Sequence, residues 1–193
     1  MHISERAFMS AKIEILHKTK WLSLRNLVDP DNGVSGYVYS HEDRCNGKII
    51  AMLPYRFVNK SVELLIRREV TPCWGMKHQL SSITGGFEGG DPRDTAVLEM
   101  KEETGYEISK NELVSLGTSF ASKSSDTNYY LYTVNLTNKE QGKTTSDGSS
   151  LEKLADCIWM SVHGILNQDI KDPQFYVLLV RLTKTVPLLK DTI

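Results

Sequence analysis

The sequence predicts one main domain of the α/β or α+β class, built on a mixed sheet with few helices. Hydrophobic residues make up 40% of the 193 residues, which is enough for a packed core. Short segments rich in β-branched and aromatic residues recur along most of the chain. Only two segments have the apolar period and the capping residues of longer helices, at 92–104 and from about residue 172. Because these helices are few and far apart, a doubly wound parallel sheet is disfavoured.

The predicted strands follow one another between turn signals. The strongest turn signal is Asp29–Gly33, and Asn59-Lys60 is predicted to connect a hairpin. The segments with strand patterns are 12–26 (one or two strands), 36–40, 48–58, 62–70, 82–84, 113–120, 128–135 and 155–161. We therefore divide the chain into an N-terminal β-segment, residues 1–46, and a main domain, residues 47–193.

Composition excludes several function classes. Lysine and arginine total 23 against 24 acidic residues, and this balance argues against a nucleic-acid coat protein or a polybasic membrane binder. No apolar run is long enough to span a membrane, and the first residues do not resemble a secretory signal. The three cysteines and five histidines lack the spacing of a zinc site. We expect a cytoplasmic protein with neither a nucleic acid nor a membrane as its partner.

The most informative segment runs from Gly85 to Tyr106. A glycine-rich turn opens it and leads into the helix predicted at 92–104. Asp91 can cap this helix, Pro92 suits its first position, and Gly105 is a natural C-terminal stop. The helix is therefore well defined by the sequence.

Glu99, Glu102 and Glu103 gather on one face of this helix, at i, i+3 and i+4, opposite its apolar residues. Like charges so placed destabilise an isolated helix unless a cation lies among them. Oxygen ligands suit hard cations such as Mg²⁺ or Mn²⁺, and the glycines ahead of the helix let the backbone approach a phosphate or a metal. A solvated acidic face is the plainer interpretation, but the glycine turn in fixed register favours a metal site.

The segment resembles the signature of the Nudix hydrolases, Gly-x5-Glu-x7-Arg-Glu-U-x-Glu-Glu-x-Gly-U, where U is a bulky apolar residue. The second half stands here as Leu98-Glu99-Met100-Lys101-Glu102-Glu103-Thr104-Gly105-Tyr106. The first half reads Gly85-x5-Asp91, with six rather than seven residues before Leu98. The strand order at about 48–185 fits the family fold more loosely.

Two positions depart from the signature. Leu98 replaces the arginine, which in the family typically holds a glutamate of the helix through a charged pair. Asp91 or Gly90 replaces the first glutamate, depending on where the gap falls. Either Arg93 or Lys101 partly substitutes for the arginine, or metal affinity is lower.

The resemblance implies a Nudix-type α/β/α sandwich with a mixed sheet. It also implies hydrolysis of a nucleoside diphosphate linked to another moiety, with Mg²⁺ or Mn²⁺ as cofactor. Glu99 and Glu103 would be the principal ligands, and Glu102 a shared or bridging ligand with a catalytic role. A backbone carbonyl of Gly85 or Gly86 would be another ligand.

Further site residues are expected outside the helix. Arg67 and Arg68 end a strand, and one of them can reach a substrate phosphate or ribose; neighbours on a strand point oppositely, so both do not. In the ADP-ribose branch of the family, the base that activates water commonly comes from a late acidic loop. The corresponding stretch here is 144–153, in which we favour Glu152 over Asp147 because Glu152 lies nearer the next strand.

The N-terminal strands look like those of the ADP-ribose and ADP-sugar pyrophosphatases, which often exchange such a segment within a homodimer. We therefore expect a homodimer that involves residues 1–46, and ADP-ribose or an NDP-sugar as substrate. Trp21, Tyr37, Tyr39 and Tyr55 are candidates for base stacking, although aromatic residues in strands are more often part of the core. The alternatives are hydrolysis of modified nucleoside triphosphates or dinucleoside polyphosphates, and a non-catalytic nucleotide-binding module.

Overall fold

The computed structural model of the chain describes residues 11–87, 89–145 and 150–189. Its helices are α1 (Pro92–Thr104), α2 (Val162–Leu166) and α3 (Pro173–Thr185). Its strands are β1 (Lys12–Lys18), β2 (Leu22–Asp29), β3 (Val34–Glu42), β4 (Lys48–Met52), β5 (Tyr55–Val58), β6 (Ser61–Val70), β7 (His78–Ser81), β8 (Ile83–Gly86), β9 (Val114–Ser122), β10 (Ser125–Thr133) and β11 (Asp156–Ser161).

The strands form two sheets. The seven-stranded sheet has the order β1-β2-β3-β10-β4-β8, and β9 also pairs with β10. Within it, β10 runs parallel to β4 and antiparallel to β9, so the sheet is mixed, as predicted. The four-stranded sheet has the order β11-β6-β5, and β7 also pairs with β6.

Side chains that alternate along the central strands fill two separate cores. In β4, Ile50 and Met52 face the core that α1 covers, whereas Ala51, and Leu53 just after the strand, face the core that α2 and α3 cover. Strand β6 divides its side chains between the cores in the same way. Helices therefore cover both sides of the strands, and the predicted α/β/α sandwich is confirmed.

The first three strands form an antiparallel meander at one edge of the larger sheet. They join the rest of that sheet where β3 meets the start of β10, and the Ser40 amide donates to the Ser124 carbonyl at 2.9 Å. Several large apolar side chains on these strands are exposed, namely Ile13, Ile15, Leu16, Leu22, Leu24, Tyr37 and Val38. The meander therefore presents apolar surface to its surroundings.

The hairpin predicted over 48–70 is only partly confirmed. Asn59 and Lys60 both have positive φ, at 47° and 67°, and connect β5 to β6. The single strand predicted at 48–58 is wrong, because the chain breaks near Pro54 and passes from one sheet to the other. Proline has no amide hydrogen to donate to a ladder. Its carbonyl instead accepts from the Leu65 amide at 2.9 Å.

The other predicted strands and both predicted helices lie close to their expected bounds. Two short elements were not predicted. Strand β7 lies between the strands predicted at 62–70 and 82–84, where none was predicted. Helix α2 has only five residues, too few to show a helical apolar period. Among the described residues, no helix is long and apolar enough to cross a membrane.

Aspartate residues cap the two long helices in different surroundings. At α1, the exposed Asp91 accepts from the Arg93 amide at 3.0 Å. At α3, Asp172 is only 5% exposed and accepts from the Gln174 amide at 2.8 Å. Asp172 also accepts from the Ser82 amide, at 2.8 Å. This second cap therefore fastens α3 to the segment between β7 and β8.

We expect Asp172→Ala to destabilise the fold more than Asp91→Ala. Loss of an exposed cap costs about 1 kcal/mol. At Asp172 the substitution also leaves the buried Ser82 amide without this acceptor, which costs about 1–3 kcal/mol more. Urea denaturation of both variants measures the free energies of unfolding. Equal decreases in the free energy of unfolding for the two variants would show that the hydrogen bond from Ser82 adds no stability beyond that of the cap.

Candidate active site

A cavity of about 1050 Å³ lies between α1 and strands of both sheets. Most of the predicted site residues border it. The lining includes Gly85 and Gly86 of β8, Glu99, Glu102 and Glu103 of α1, Arg67 and Glu69 of β6, and Asp156 and Cys157 of β11. Carboxylates from three elements therefore meet the glycine end of β8 in one place.

The contact between β8 and α1 depends on the absence of a side chain at residue 85. A Cβ atom at Gly85 would overlap the carboxylate of Glu99. The reason is space and not backbone conformation, because Gly85 is not among the residues with positive φ. At Gly86, a Cβ atom would lie 3.0 Å from that of Cys45. Any larger residue at either position would push neighbouring groups away.

Arg67 lies in the cavity wall between two carboxylates. Its Nη1 is 2.7 Å from Glu103 Oε2, and its Nε donates to Glu69 Oε2 at 3.0 Å. The Arg67 side chain is only 7% exposed. Burial alone would lower the pKa of Arg67, but the charges of Glu103 and Glu69 outweigh burial and raise that pKa above its ordinary value. The guanidinium therefore remains charged beside the proposed ligands.

The structure does not bring Arg68 to the cavity lining, where Arg67 lies. Arg68 points the other way along β6 and forms a two-point ion pair with Asp156, with Nε 2.8 Å from Oδ1. Leu98 is exposed, and neither it nor Arg93 lines the cavity. Lys101 pairs with Glu107 at 2.8 Å. The cation found beside Glu103 thus comes from β6 and from neither of the helix residues considered in the sequence.

Cys157 also borders the cavity, opposite Arg67 in the β6–β11 ladder. Burial raises the pKa of its thiol to about 12. The thiolate is the nucleophilic form of cysteine. Cys157 therefore stays protonated at neutral pH and is not an activated nucleophile.

The donor set of the cavity fits a divalent cation. Among the described residues, no three acidic, histidine or cysteine side chains already stand together as a metal-binding group. The three helix glutamates nevertheless border one cavity, and the absence of a side chain at Gly85 lets the Glu99 carboxylate lie against the strand backbone. Carboxylate and carbonyl oxygens are the ligands that Mg²⁺ and Mn²⁺ prefer.

The proposed base lies partly outside the described residues. Residues 146–149, with Asp147, and the side chain of Glu152 are not among them. Their chain neighbours Thr144, Leu151 and Lys153 do line the cavity. The Thr145 amide donates to the Glu102 carbonyl at 3.1 Å, which ties the start of this loop to α1. The choice between the two acids stays a prediction.

Several cavity residues were missed in the sequence. Glu69 was identifiable, because it lies two residues after Arg67 and so shares its face of the strand. Trp74 lines the cavity from the turn after β6, whereas Trp21, Tyr37, Tyr39 and Tyr55 are absent from its described lining. Trp74 follows no regular pattern, so only the folded chain reveals its position.

Comparisons with known proteins agree with this geometry. A family model described as the NUDIX domain matches residues 51–179. Among solved structures, the crystal structure of an ADP compounds hydrolase superposes with a TM-score of 0.67, covering 94% of this chain and 97% of that chain at 14% sequence identity. That likeness shows the fold alone. No curated protein sequence matches the chain. The family model covers well over half of the chain and includes the glycine turn and the glutamate helix, so the chain belongs to the NUDIX domain family and is a Nudix hydrolase.

Proposed function

We propose that this Nudix hydrolase is a metal-dependent pyrophosphohydrolase that cleaves a nucleoside diphosphate linked to another moiety. ADP-ribose or an NDP-sugar is the substrate that we favour. The observation that carries the proposal is the convergence of Glu99, Glu102 and Glu103 on the cavity beside Gly85. Nudix hydrolases generally use divalent cations, and these oxygen donors suit Mg²⁺ or Mn²⁺.

The cavity has the size that such a substrate needs, and its lining includes groups that can contact a phosphate or a base. Its volume of about 1050 Å³ is at the upper end of typical ligand sites, which hold about 300–1,000 Å³. Its lining also includes the cations Arg44 and Lys153 and the exposed Trp74. The cations can attract a diphosphate, and the ring can stack on a base. The structural neighbour described as an ADP compounds hydrolase supports an ADP-containing substrate.

In this proposal, Glu99 and Glu103 are the principal metal ligands, and Glu102 is a shared ligand that also takes part in catalysis. A carbonyl of Gly85 or Gly86 completes the set. When bound, the cation neutralises charge on the diphosphate and stabilises charge on the leaving phosphate. Glu152 accepts a proton from the attacking water.

We also propose that the protein forms a homodimer through its N-terminal strands. The exposed apolar side chains of β1 to β3 support this arrangement, because apolar surface left exposed on a folded chain can mark an interaction site. A second copy would cover that surface.

We expect Glu99→Gln and Glu103→Gln each to lower kcat by about 100-fold or more, with a smaller change in KM. Each substitution keeps the side-chain size but removes charge that holds the cation. The measurement is release of nucleoside monophosphate from ADP-ribose and from a panel of NDP-sugars at limiting Mg²⁺. Glu107→Gln is the matched control, since Glu107 is exposed and pairs with Lys101. Activity within about twofold of wild type for both site variants would reject the assignment. Absence of wild-type turnover on every compound would favour a non-catalytic module.

Glu152→Gln should lower kcat by about 100-fold or more, because a positioned base contributes about that much. Asp147→Asn should leave kcat within about twofold of wild type. Mn²⁺ affinity, followed by electron paramagnetic resonance, separates loss of the base from loss of the metal. A large decrease in kcat for the Asp147 variant alone would move the role to Asp147. If neither variant loses kcat, the base lies elsewhere.

Sedimentation velocity of the wild type should give the mass of two chains, and Ile13→Lys/Ile15→Lys should give that of one. The two isoleucines are 54% and 56% exposed on β1, so lysine at these positions disturbs the interface without disturbing a core. Val180→Lys, at a position 61% exposed on α3, is the control and should stay dimeric. A monomeric wild type, or a double variant that remains dimeric, would contradict the interface.

A further inference from the structure

Arg67 is held in a chain of polar contacts that crosses from β7 through β6 to α1. Ser81 Oγ of β7 donates to Glu69 Oε1 at 2.9 Å, and the other oxygen of Glu69 accepts from Arg67 Nε at 3.0 Å. Arg67 Nη1 then lies 2.7 Å from Glu103 Oε2. The guanidinium is thus fixed at one end by a strand carboxylate and faces a helix carboxylate at the other.

Because this ion pair is buried, its two side chains have less freedom to move than those of a surface pair. The side chains of Arg67 and Glu103 are 7% and 14% exposed. A buried arginine cannot lose its charge, and a buried charge without a partner is costly, so each group restricts where the other can lie. The planar guanidinium can face two carboxylates at once, which a lysine ammonium does less well. A carboxylate can accept about four hydrogen bonds, so the contact with Arg67 does not exhaust Glu103.

We propose that Arg67 is a positioning residue that fixes the carboxylate of Glu103 at the cavity wall, and that it does not bind the substrate phosphate. This inference rests on the proposed function, in which Glu103 is a metal ligand. It replaces the expectation that Arg67 contacts substrate. Both carboxylates that flank Arg67 belong to the protein, and two such partners leave its charge already compensated.

The test combines steady-state kinetics with crystallography of Arg67→Met, Arg67→Lys and Glu103→Gln. Methionine keeps much of the apolar stem of arginine and removes the charge. Loss of a group that orients a metal ligand typically costs about 10–100-fold in activity. We expect Arg67→Met to lower kcat by that amount with KM within about twofold of wild type, and Arg67→Lys to recover part of the loss. In the Glu103→Gln background, Arg67→Met should have little further effect on kcat.

The crystal structure provides a readout that does not depend on turnover. In Arg67→Met the Glu103 side chain should leave its wild-type position or occupy several positions, while α1 stays in place. If the wild type hydrolyses neither ADP-ribose nor any of the NDP-sugars, the proposed function fails, yet the position of Glu103 still decides the role of Arg67.

Arg56→Met is the matched control: Arg56 pairs with Glu63 at 2.6 Å, and it lies outside the cavity lining. The kcat of Arg56→Met should equal that of the wild type.

Three results would overturn the inference. The first is a KM that rises about tenfold or more in Arg67→Met while kcat is unchanged, with the same rise when Glu103 is already glutamine. This result would show that Arg67 binds substrate. The second is an unmoved Glu103 in the Arg67→Met crystal. The third is a lower melting temperature with kcat and KM both unchanged, which would make the ion pair purely structural. If Arg67→Met does not fold, Arg67→Lys decides by the same criteria, with a smaller expected loss of kcat.

Discussion

The close approach of α1 to the end of β8 is the constraint on which the site depends. Because residue 85 has no side chain, the carboxylate of Glu99 can lie directly against the strand backbone. The helix can come this close only if its apolar face is buried, and Ala96 and Met100 are completely buried in the core beneath it. Packing on one face of α1 thereby brings the three glutamates of its other face to the cavity.

This arrangement concentrates negative charge that the fold must compensate. The cavity lining contains Glu69, Asp156 and the three helix glutamates, although the whole chain carries a net charge of only −1. Like charges that are brought together repel one another. Arg67, which lies in the cavity wall, compensates part of that negative charge by pairing with Glu69 and Glu103. We propose that a bound divalent cation compensates the remaining negative charge. The ion that would take part in the reaction would then also stabilise the site.

The sequence was sufficient for features that depend on local signals. The bounds of α1 follow from Asp91, Pro92 and Gly105, and its acidic face follows from helical spacing. The break at Pro54, by contrast, depends on which sheet each half of the segment joins, and that choice is made by distant strands. The pairing of Arg67 with Glu103 was not predictable for the same reason: 36 positions separate the two residues in the sequence, and only the packing of β6 against α1 brings them together.

The most direct test of the central claim is the position of a cation in the crystal. Crystals of the unmodified protein grown with Mn²⁺ would give an anomalous difference map in which the ion identifies its own ligands. Our account predicts a peak in the cavity, bound by oxygens of Glu99 and Glu103 and by a carbonyl of Gly85 or Gly86. A peak bound by other residues, or none in the cavity at saturating Mn²⁺, would contradict the account.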